Sequence, residues 1–219
     1  MKTEVVIAAS WCEPDVTGQT TAGGDYPAYE RRQSVTGDAG LRVRRAAAED
    51  AEAVAALHAD SWRRHYRGAY SDLFLDGDVY GDRLRIWPQR LAAQDGSTVT
   101  ILAEDADGAL IGFAHVVFDD DPQWGSLLDN LHVAYQHKRR GIGRRLMAEV
   151  EREVVAHGRG GFYLWVLEQN VQARAFDDAM GGRRVERAFA SAPGGNPANL
   201  AGTPAKLRYV WAGPGSLRG

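Results

Sequence analysis

The stretch from Leu127 to Met147, LLDNLHVAYQHKRRGIGRRLM, constrains the fold of this chain more than any other. It opens as an apolar run with β-propensity, passes through a basic segment with two glycines, and continues with Ile142, Leu146 and Val150 at helical spacing. The order predicts a strand, a turn and the start of a helix. Such a helix start presents backbone N–H groups without intrahelical partners and carries partial positive charge.

The turn in this stretch has the properties of an anion site. Gly141 and Gly143 let a ligand approach the backbone without a Cβ in the way, and five of the eight residues from Lys138 to Arg145 are Lys or Arg. A phosphate is the expected ligand. Two common phosphate loops are excluded, because no Lys-Ser or Lys-Thr follows the glycines and Leu146 stands where a dinucleotide fingerprint needs glycine or alanine.

The segment Lys138-Arg139-Arg140-Gly141-Ile142-Gly143 resembles the acetyl-coenzyme A loop of the GCN5-related N-acetyltransferases, the GNAT family. The family pattern is Arg or Gln, two residues, Gly, one residue, then Gly or Ala. This chain has lysine at the first position, which keeps a cation near the pyrophosphate. The resemblance extends over about residues 41–211.

A second segment resembles the family at Asn170, Ala173 and Phe176, with one departure from the family pattern. Asp177 stands where the family usually has the tyrosine that protonates the departing thiolate, so the general acid is open, with Tyr135 and Tyr163 as substitutes. A thiol with a pKa near 8.5 leaves with little acid help, and a carboxyl group keeps its proton at neutral pH only when strongly buried. We therefore expect activity to survive Asp177→Asn.

The rest of the chain predicts an α/β fold. Strands are predicted at 41–44, 98–104, 109–118, in the run that ends at 133, and at 161–168, 184–190 and 205–211; helices are predicted at about 48–66, 79–93, 141–157 and 171–180. Pro88 is expected to kink the second helix or end its first half. The resemblance implies the GNAT fold, a mixed and mostly antiparallel sheet of about seven strands flanked by about four helices, with a splayed strand pair that holds the cofactor.

Composition predicts one domain with tails. The chain has 219 residues, 44% hydrophobic and 25% charged, and residues 1–40 read as a flexible extension, 41–211 as the domain and 212–219 as a tail. The net charge of -3 gives no general attraction to nucleic acid, and no apolar run reaches the roughly twenty residues of a membrane span. A single cysteine, Cys12, suits the reducing cytoplasm.

The resemblance implies acetyl-coenzyme A as co-substrate, with no metal. The strand ending at residue 133 would separate from the strand 161–168, admit the pantetheine arm and offer a backbone N–H near Val133 to the acetyl carbonyl. The amides of residues 139–144 would bind the pyrophosphate. The candidate cofactor-binding residues are Leu131, His132, Val133, Lys138, Arg139, Arg140, Gly141, Ile142, Gly143, Arg144, Asn170, Ala173 and Phe176.

Attack of a neutral amine on a thioester needs a group that keeps the amine deprotonated. The candidate catalytic residues are Asp129, His132 and Glu168. Strand alternation predicts Asp129, Leu131 and Val133 on one face and His132 on the other, so only one set can face the acceptor. Each candidate also has a structural interpretation: Asp129 as the partner of an arginine, His132 as a packing residue, and Glu168 as a helix cap or ion pair.

The acceptor site is the least determined part. In the family, the region 61–70 lines the acceptor pocket, so Trp62, His65, Tyr66 and Tyr70 are candidate substrate contacts, and core packing is the alternative. The three acids 119–121 read as a solvated loop or as a site for a cationic acceptor.

The expected acceptor is a small-molecule amine, a cationic metabolite or antibiotic; a protein or peptide amine is the alternative. Two other classes stay open, a non-catalytic acyl-coenzyme A sensor and a nucleic-acid-binding module. A homodimer is also open, with the loop 191–204 and the last strand completing the site of a second copy.

Overall fold

The computed structural model describes residues 35–37, 40–92, 96–158 and 160–218; residues 1–34, with Cys12, lie outside this range. In the described part, one sheet has the strand order β1-β2-β3-β4-β5-β6-β8-β7. The strands are β1 (Val35–Gly37), β2 (Leu41–Arg45), β3 (Thr98–Glu104), β4 (Leu110–Asp121), β5 (Gly125–Val133), β6 (Phe162–Leu167), β7 (Arg183–Phe189) and β8 (Ala205–Trp211). The α-helices are α1 (Ala51–His65), α2 (Asp72–Asp76), α3 (Val79–Ala92), α4 (Ile142–Ala156) and α5 (Val171–Ala179).

The sheet is mixed and mostly antiparallel, as the sequence predicted. Only β5 and β6 pair in parallel among the described strands, because α4 carries the chain back across the sheet between them. Every other described pair is antiparallel. The connection through α4 makes the β5–β6 boundary a place where strand ends and a helix start meet.

Three local features differ from the sequence prediction. The sheet begins at Val35, inside the range 1–40 that reads as a flexible extension. The short helix α2 was not predicted; its Ser71 hydroxyl accepts a hydrogen bond from the Phe74 N–H at 3.3 Å. α3 continues through Pro88, so this residue does not end the helix.

Helices cover both faces of the sheet. On one face, Leu146 and Val150 of α4 pack in the same apolar cluster as Leu131 and Val133 of β5, and Phe176 of α5 joins them. On the other face, α1 and α3 pack against β3 and β4. β5 is therefore contacted by α4 on one side and lies under α1 on the other, which places it between two helix layers.

Candidate active site

β5 and β6 open into a gap at one end. The described pairs between them are Ser126 with Phe162 and Leu127 with Tyr163, although β5 continues to Val133 and β6 to Leu167. Alternate residues of a strand direct their N–H and C=O groups to opposite edges, so part of the β5 backbone beyond Leu127 faces this gap. The splayed strand pair expected from the sequence is present.

The loop beyond the gap leads into the start of α4, where backbone N–H groups have no partner within the helix. Gly141 caps the helix with a φ of 82°, and a Cβ at this position would meet no atom within 4 Å. The first intrahelical bond runs from Arg145 N–H to Gly141 C=O at 3.0 Å, so the preceding N–H groups have no acceptor within the helix. Open space, aligned N–H groups and the positive end of the helix dipole together fit a pyrophosphate.

The loop's side chains divide between solvent and protein. Arg139, Arg140 and Arg144 are exposed, whereas Ile142 is buried against the apolar cluster beneath α4. Lys138, the first residue of the loop motif, lies with its Nζ 2.8 Å from Nε2 of His65 at the end of α1. The three exposed arginines surround the helix start, in a position to attract a polyanion.

α5 contributes structure more than polar contacts. The Asn170 side chain accepts a hydrogen bond from the Ala173 N–H at 3.2 Å and so caps α5, as the sequence predicted. Ala173 and Phe176 are buried in the same apolar cluster as Leu131 and Val133. These α5 residues form a wall close to the β5 segment that borders the gap.

A β-bulge places Asp129 on the opposite face of β5 from the face that the sequence predicted. In the β4–β5 ladder, Asn130 pairs with His115 and Leu128 with Val116, so Asp129 has no opposite residue. Because of this extra residue, Asp129 does not share the α4 face with Leu131 and Val133, and the alternation predicted from the sequence is wrong at this point. Its carboxylate instead meets α3.

The Asp129 carboxylate is completely buried and charge-paired. Its Oδ2 accepts hydrogen bonds from Arg90 Nη1 and from Asn130 Nδ2, each at 2.7 Å. Burial first, and then the charges of Tyr70 and Asp129, raise the pKa of Tyr66 well above its usual value. Asp129 comes two residues after the last described β5–β6 pair, so it lies where the gap begins.

His132 belongs to a buried aromatic and polar layer under α1. Its Nδ1 lies 2.8 Å from Ser61 Oγ, and its ring centroid is 4.8 Å from that of His58. His58 in turn accepts a hydrogen bond from Trp87 Nε1 at 3.1 Å. Burial, with smaller effects of His65 and Lys138, lowers the pKa of His132 to about 3. A group of this basicity stays neutral at pH 7 and is a weak proton acceptor.

Glu168 forms a surface ion pair. Its carboxylate receives three hydrogen bonds from Arg187 at 2.8 to 3.1 Å, and its side chain is 39% exposed. The hydrogen bonds from Arg187 lower the pKa of Glu168. Of the three sequence candidates, only Asp129 and His132 lie on the buried side of β5, and Glu168 is separated from them at the end of β6.

Three of the four predicted acceptor residues lie in a closed aromatic cluster. Trp62, Tyr66 and Tyr70 are at most 2% exposed and pack together with Leu167 and Leu200. Of the two alternatives given by the sequence, core packing rather than substrate contact describes these three residues in the structure. His65, the fourth, is half-buried and contacts the cofactor loop instead.

The loop 191–204 closes this cluster from outside. Ser71 N–H donates to Asn199 C=O and Ala201 N–H donates to Ala69 C=O, both at 2.9 Å. Between these bonds, Tyr70 and Leu200 form an antiparallel bridge. The loop thus docks on its own chain beside the aromatic cluster.

The acids 119–121 lie at the opposite end of β5 from the cofactor loop. Asp121 pairs with Gly125 at the β4–β5 hairpin, and its carboxylate binds Arg208 at 3.1 Å. The Tyr163 hydroxyl donates to Asp120. The three acids form the end of β4 rather than a separate loop, while Asp119 and Asp120 are exposed, as expected for a solvated segment. Tyr163 is engaged away from the gap.

Asp177, at the family's tyrosine position, is fully buried on α5. Neither carboxylate oxygen has a hydrogen-bond partner among the described residues. Burial, together with the neighbouring charge of Asp178, raises the pKa of Asp177 well above its usual value. Burial on α5 therefore favours the protonated form of this carboxyl group.

The sequence reasoning missed the groups that hold the two buried β5 candidates. Arg90 binds Asp129, Ser61 binds His132, and His58 packs on His132. One sequence signal for Arg90 existed: it follows Trp87 by three residues, on the apolar face of a predicted helix. Ser61 and His58 gave no local signal, because their partners are more than 70 residues away along the chain.

Comparison with known proteins supports the family and the fold. The acetyltransferase (GNAT) family model matches residues 46–181. YuaI of Bacillus subtilis, an uncharacterized N-acetyltransferase, is 28% identical over 132 residues, which are 59% of this chain and 73% of YuaI. Streptothricin acetyltransferase of Streptomyces lavendulae is 38% identical over 87 residues, only 37% of this chain and 42% of that protein.

A solved structure shows the same architecture. The PaiA N-acetyltransferase of Thermoplasma acidophilum, crystallised in complex with coenzyme A, superposes with a TM-score of 0.60 at 19% identity, over 77% of this chain and 97% of that chain. The GNAT fold predicted from the sequence is confirmed. Within the described residues, no helix is both long and apolar enough to cross a membrane.

Proposed function

Because the chain belongs to the GNAT family and is an N-acetyltransferase, we propose that it moves the acetyl group of acetyl-coenzyme A to the primary amine of a small molecule. The amine attacks the thioester directly while both substrates are bound. The observation that carries this proposal is the β5–β6 gap, which ends at a glycine-containing helix start rimmed by exposed arginines.

The cofactor site has the chemistry that a coenzyme A thioester needs. The N–H groups at the start of α4 would bind the pyrophosphate, and Lys138, Arg139 and Arg144 would add charge. The β5 backbone from Leu131 to Val133 would bind the pantetheine arm and, near Val133, polarise the acetyl carbonyl. Ala173 and Phe176 of α5 would exclude water from one wall of the gap.

Asp129 is the proposed proton acceptor. It lies where the gap begins, and its bulge directs the carboxylate to the same side as the aromatic cluster. Arg90 fixes its orientation, so a bound water or the amine itself would meet a carboxylate oxygen held in one position. His132 is disfavoured because its pKa falls to about 3, and Glu168 because it lies at the surface after the end of β6, apart from the buried pair on β5.

A small acceptor is favoured over a protein chain by the docked loop 191–204. This loop is bound to residues 69–71 by two backbone hydrogen bonds and so covers the region 61–70, which the family resemblance assigns to the acceptor side, leaving less room there for a polypeptide. The relative named for streptothricin also supports a small-molecule amine. The acids 119–121 supply no argument for a cationic acceptor, because they lie at the far end of β5 and bind Tyr163 and Arg208.

A thermal melt with and without acetyl-coenzyme A tests the cofactor site. Cofactor at about a hundred times its Kd should add about 2.7 kcal/mol, which raises Tm by several degrees. Gly141→Ala should abolish this shift. Gly158→Ala is the matched control, since both glycines have a φ above 80° and open space around a Cβ, yet Gly158 lies at the other end of α4. No shift in the unmodified protein would refute the proposed site.

Replacement of Asp129 tests the proton acceptor. In assays of thiol release with an active amine, we expect Asp129→Asn to lower kcat by at least about 100-fold, in the range typical of a lost general base. The Kd for acetyl-coenzyme A should change little. Glu168→Gln and His132→Gln distinguish the other two candidates; a loss in either that equals the loss in Asp129→Asn would contradict the assignment. A melting curve of each variant reports whether the loss reflects unfolding.

A further inference from the structure

The last turn of α1 contacts the entrance of the cofactor loop through two pairs of side chains. Lys138 Nζ lies 2.8 Å from His65 Nε2. Beside this contact, the Arg64 guanidinium lies 5.0 Å from the centroid of the Tyr135 ring, and Lys138 Nζ lies 5.2 Å from the same centroid. The helix that carries the aromatic cluster is therefore joined to the segment that leads into the phosphate site.

The chemistry of the pair fixes the protonation of the imidazole. A lysine ammonium has three donors and no acceptor, so the Nε2 atom of His65 must carry a lone pair for this hydrogen bond to form. A protonated imidazole has only donors and would repel the ammonium. The contact between Lys138 and His65 therefore exists only while His65 is neutral.

The loop needs an anchor of this kind. Arg139, directly after Lys138, has a φ of 64°, in the left-handed region. For a residue other than glycine this conformation costs about 1 kcal/mol or more, and it persists only when the surroundings hold it. Gly141 provides little restraint, since open space surrounds it.

We propose that His65 is a positioning residue for the coenzyme A site: its neutral imidazole holds the Lys138 ammonium and thereby fixes the loop 138–144 against α1. The inference rests on the proposed function, because it concerns the same cofactor site. It assigns His65 to the cofactor side, whereas the sequence made it a candidate for acceptor contact.

A dependence of cofactor affinity on pH follows. Charged and titratable groups near His65 include Lys138 from the loop, Arg64 from α1 and His132 from β5, and Tyr135 lies beside Lys138 and Arg64. As pH falls and the imidazole takes up a proton, the hydrogen bond is lost and the loop loosens. The added charge also attracts the anionic ligand, but salt screens this long-range effect with a Debye length of about 8 Å. The loss of the anchor should therefore dominate, and we expect about fivefold weaker binding, typical of one partly exposed charge-assisted hydrogen bond.

The experiment measures the Kd of dephospho-coenzyme A by calorimetry at pH 7.5 and 5.8, at constant ionic strength. This probe lacks the 3′-phosphomonoester, which itself titrates near pH 6. His65→Gln keeps an acceptor that does not titrate, and His65→Leu removes the acceptor. His157→Gln is the control, because His157 lies at the far end of α4, stacked on Phe118.

The expected pattern is specific. The unmodified protein and His157→Gln bind about fivefold more weakly at pH 5.8 than at pH 7.5, whereas His65→Gln binds nearly equally at both and His65→Leu binds weakly at both. An unchanged pH dependence in His65→Gln, or tighter binding by the unmodified protein at pH 5.8, would overturn the inference. Absence of binding by the unmodified protein at either pH would instead refute the proposed function.

Discussion

Asp177 is a buried carboxyl group without a hydrogen-bond partner among the described residues, and it should reduce the stability of the fold at neutral pH. Burial, followed by the charge of Asp178, raises its folded-state pKa above the unfolded value of about 3.9. Between these two pKa values the folded chain binds more protons than the unfolded chain. The free energy of unfolding therefore falls as pH rises through this window.

Asp177→Asn should reverse this loss. We expect the free energy of unfolding at pH 7.5 to increase by about 1–3 kcal/mol, because the amide does not ionise and so removes the cost linked to the raised pKa, about 1.4 kcal/mol for each pH unit between the folded and unfolded pKa values. The decline in stability from pH 5 to 8, measured by urea unfolding, should shrink. Asp178→Asn is the matched control, because Asp178 is exposed and acts on Asp177 only through its charge. A variant less stable than the unmodified protein at pH 7.5 would contradict this account.

Activity gives a second measurement on the same variant. The thiol of coenzyme A leaves as thiolate with little acid help, so kcat of Asp177→Asn should stay within about tenfold of the unmodified value. A larger loss would mean that the retained proton of Asp177 is donated to the leaving group, as the family's tyrosine does. Stability and activity together separate a structural carboxyl group from a catalytic one.

Asp129 shows what the sequence can and cannot predict at the scale of one residue. Its presence near the active strand was predictable from the resemblance, but its face was not. A bulge in β5 depends on the hydrogen-bond register with β4, and no local pattern in the residues 125–133 reveals it. The loop 138–144 was predicted well, because a strand end, glycines and a helix start are contiguous in the chain.

At the scale of elements, α5 and β8 are packed closely together at Gly182. A Cβ on Gly182 would lie 2.6 Å from Trp211 Cζ2 and 3.0 Å from Asp177 O. Trp211 also stacks on Phe162 and donates to Met180 C=O at 3.0 Å.

Gly182→Ala should therefore overpack the α5–β8 contact and destabilise the protein by about 1–3 kcal/mol. Trp211→Phe opens space there, so the double variant should lose less than the sum of the single variants. The difference, measured by denaturant unfolding, is the coupling energy of the pair. Gly160→Ala is a control, since a Cβ at this glycine would meet no atom within 4 Å. If the stability lost in the double variant equalled the sum of the losses in the two single variants, Trp211 would not limit the space at Gly182.

The length of a segment decided whether it could be predicted, so the order of the long elements was predictable, whereas α2 and the pairing of β1 were not. Long periodic segments such as residues 142–156 carry their own signal in the spacing of apolar residues. α2 has only five residues and β1 only three, so neither shows a full period. Both are stabilised by contacts across the chain: β1 by pairing with β2, and the region of α2 by the loop 191–204.

At the scale of the whole molecule, the two substrates are served by different parts of the chain. The proposed cofactor site belongs to β5, α4 and the loop between them, whereas the proposed acceptor side is formed by residues 61–75 and the loop 191–204. The acceptor-side contacts join segments more than 100 residues apart. Such contacts leave no periodic pattern, so the acceptor site could not be predicted from the sequence beyond the region of α1.

This separation predicts that the loop 191–204 controls acceptor use without affecting the cofactor. Leu200 packs on the aromatic cluster and bridges Tyr70, so Leu200→Ala should loosen the loop where the amine is proposed to enter. We expect KM for an active amine to change by at least about fivefold, which corresponds to about 1 kcal/mol of lost packing. The Kd for acetyl-coenzyme A should stay within about twofold, because additivity holds between distant sites.

Leu73→Ala is the matched control for this test. It makes the same change in side-chain size on α2, but Leu73 is 87% exposed and packs on nothing in the cluster. The kinetics of Leu73→Ala should therefore equal those of the unmodified protein. If Leu200→Ala left KM unchanged, or weakened acetyl-coenzyme A binding as much as amine use, the loop would have no separate role on the acceptor side. The amine would then have to reach the β5–β6 gap from another direction.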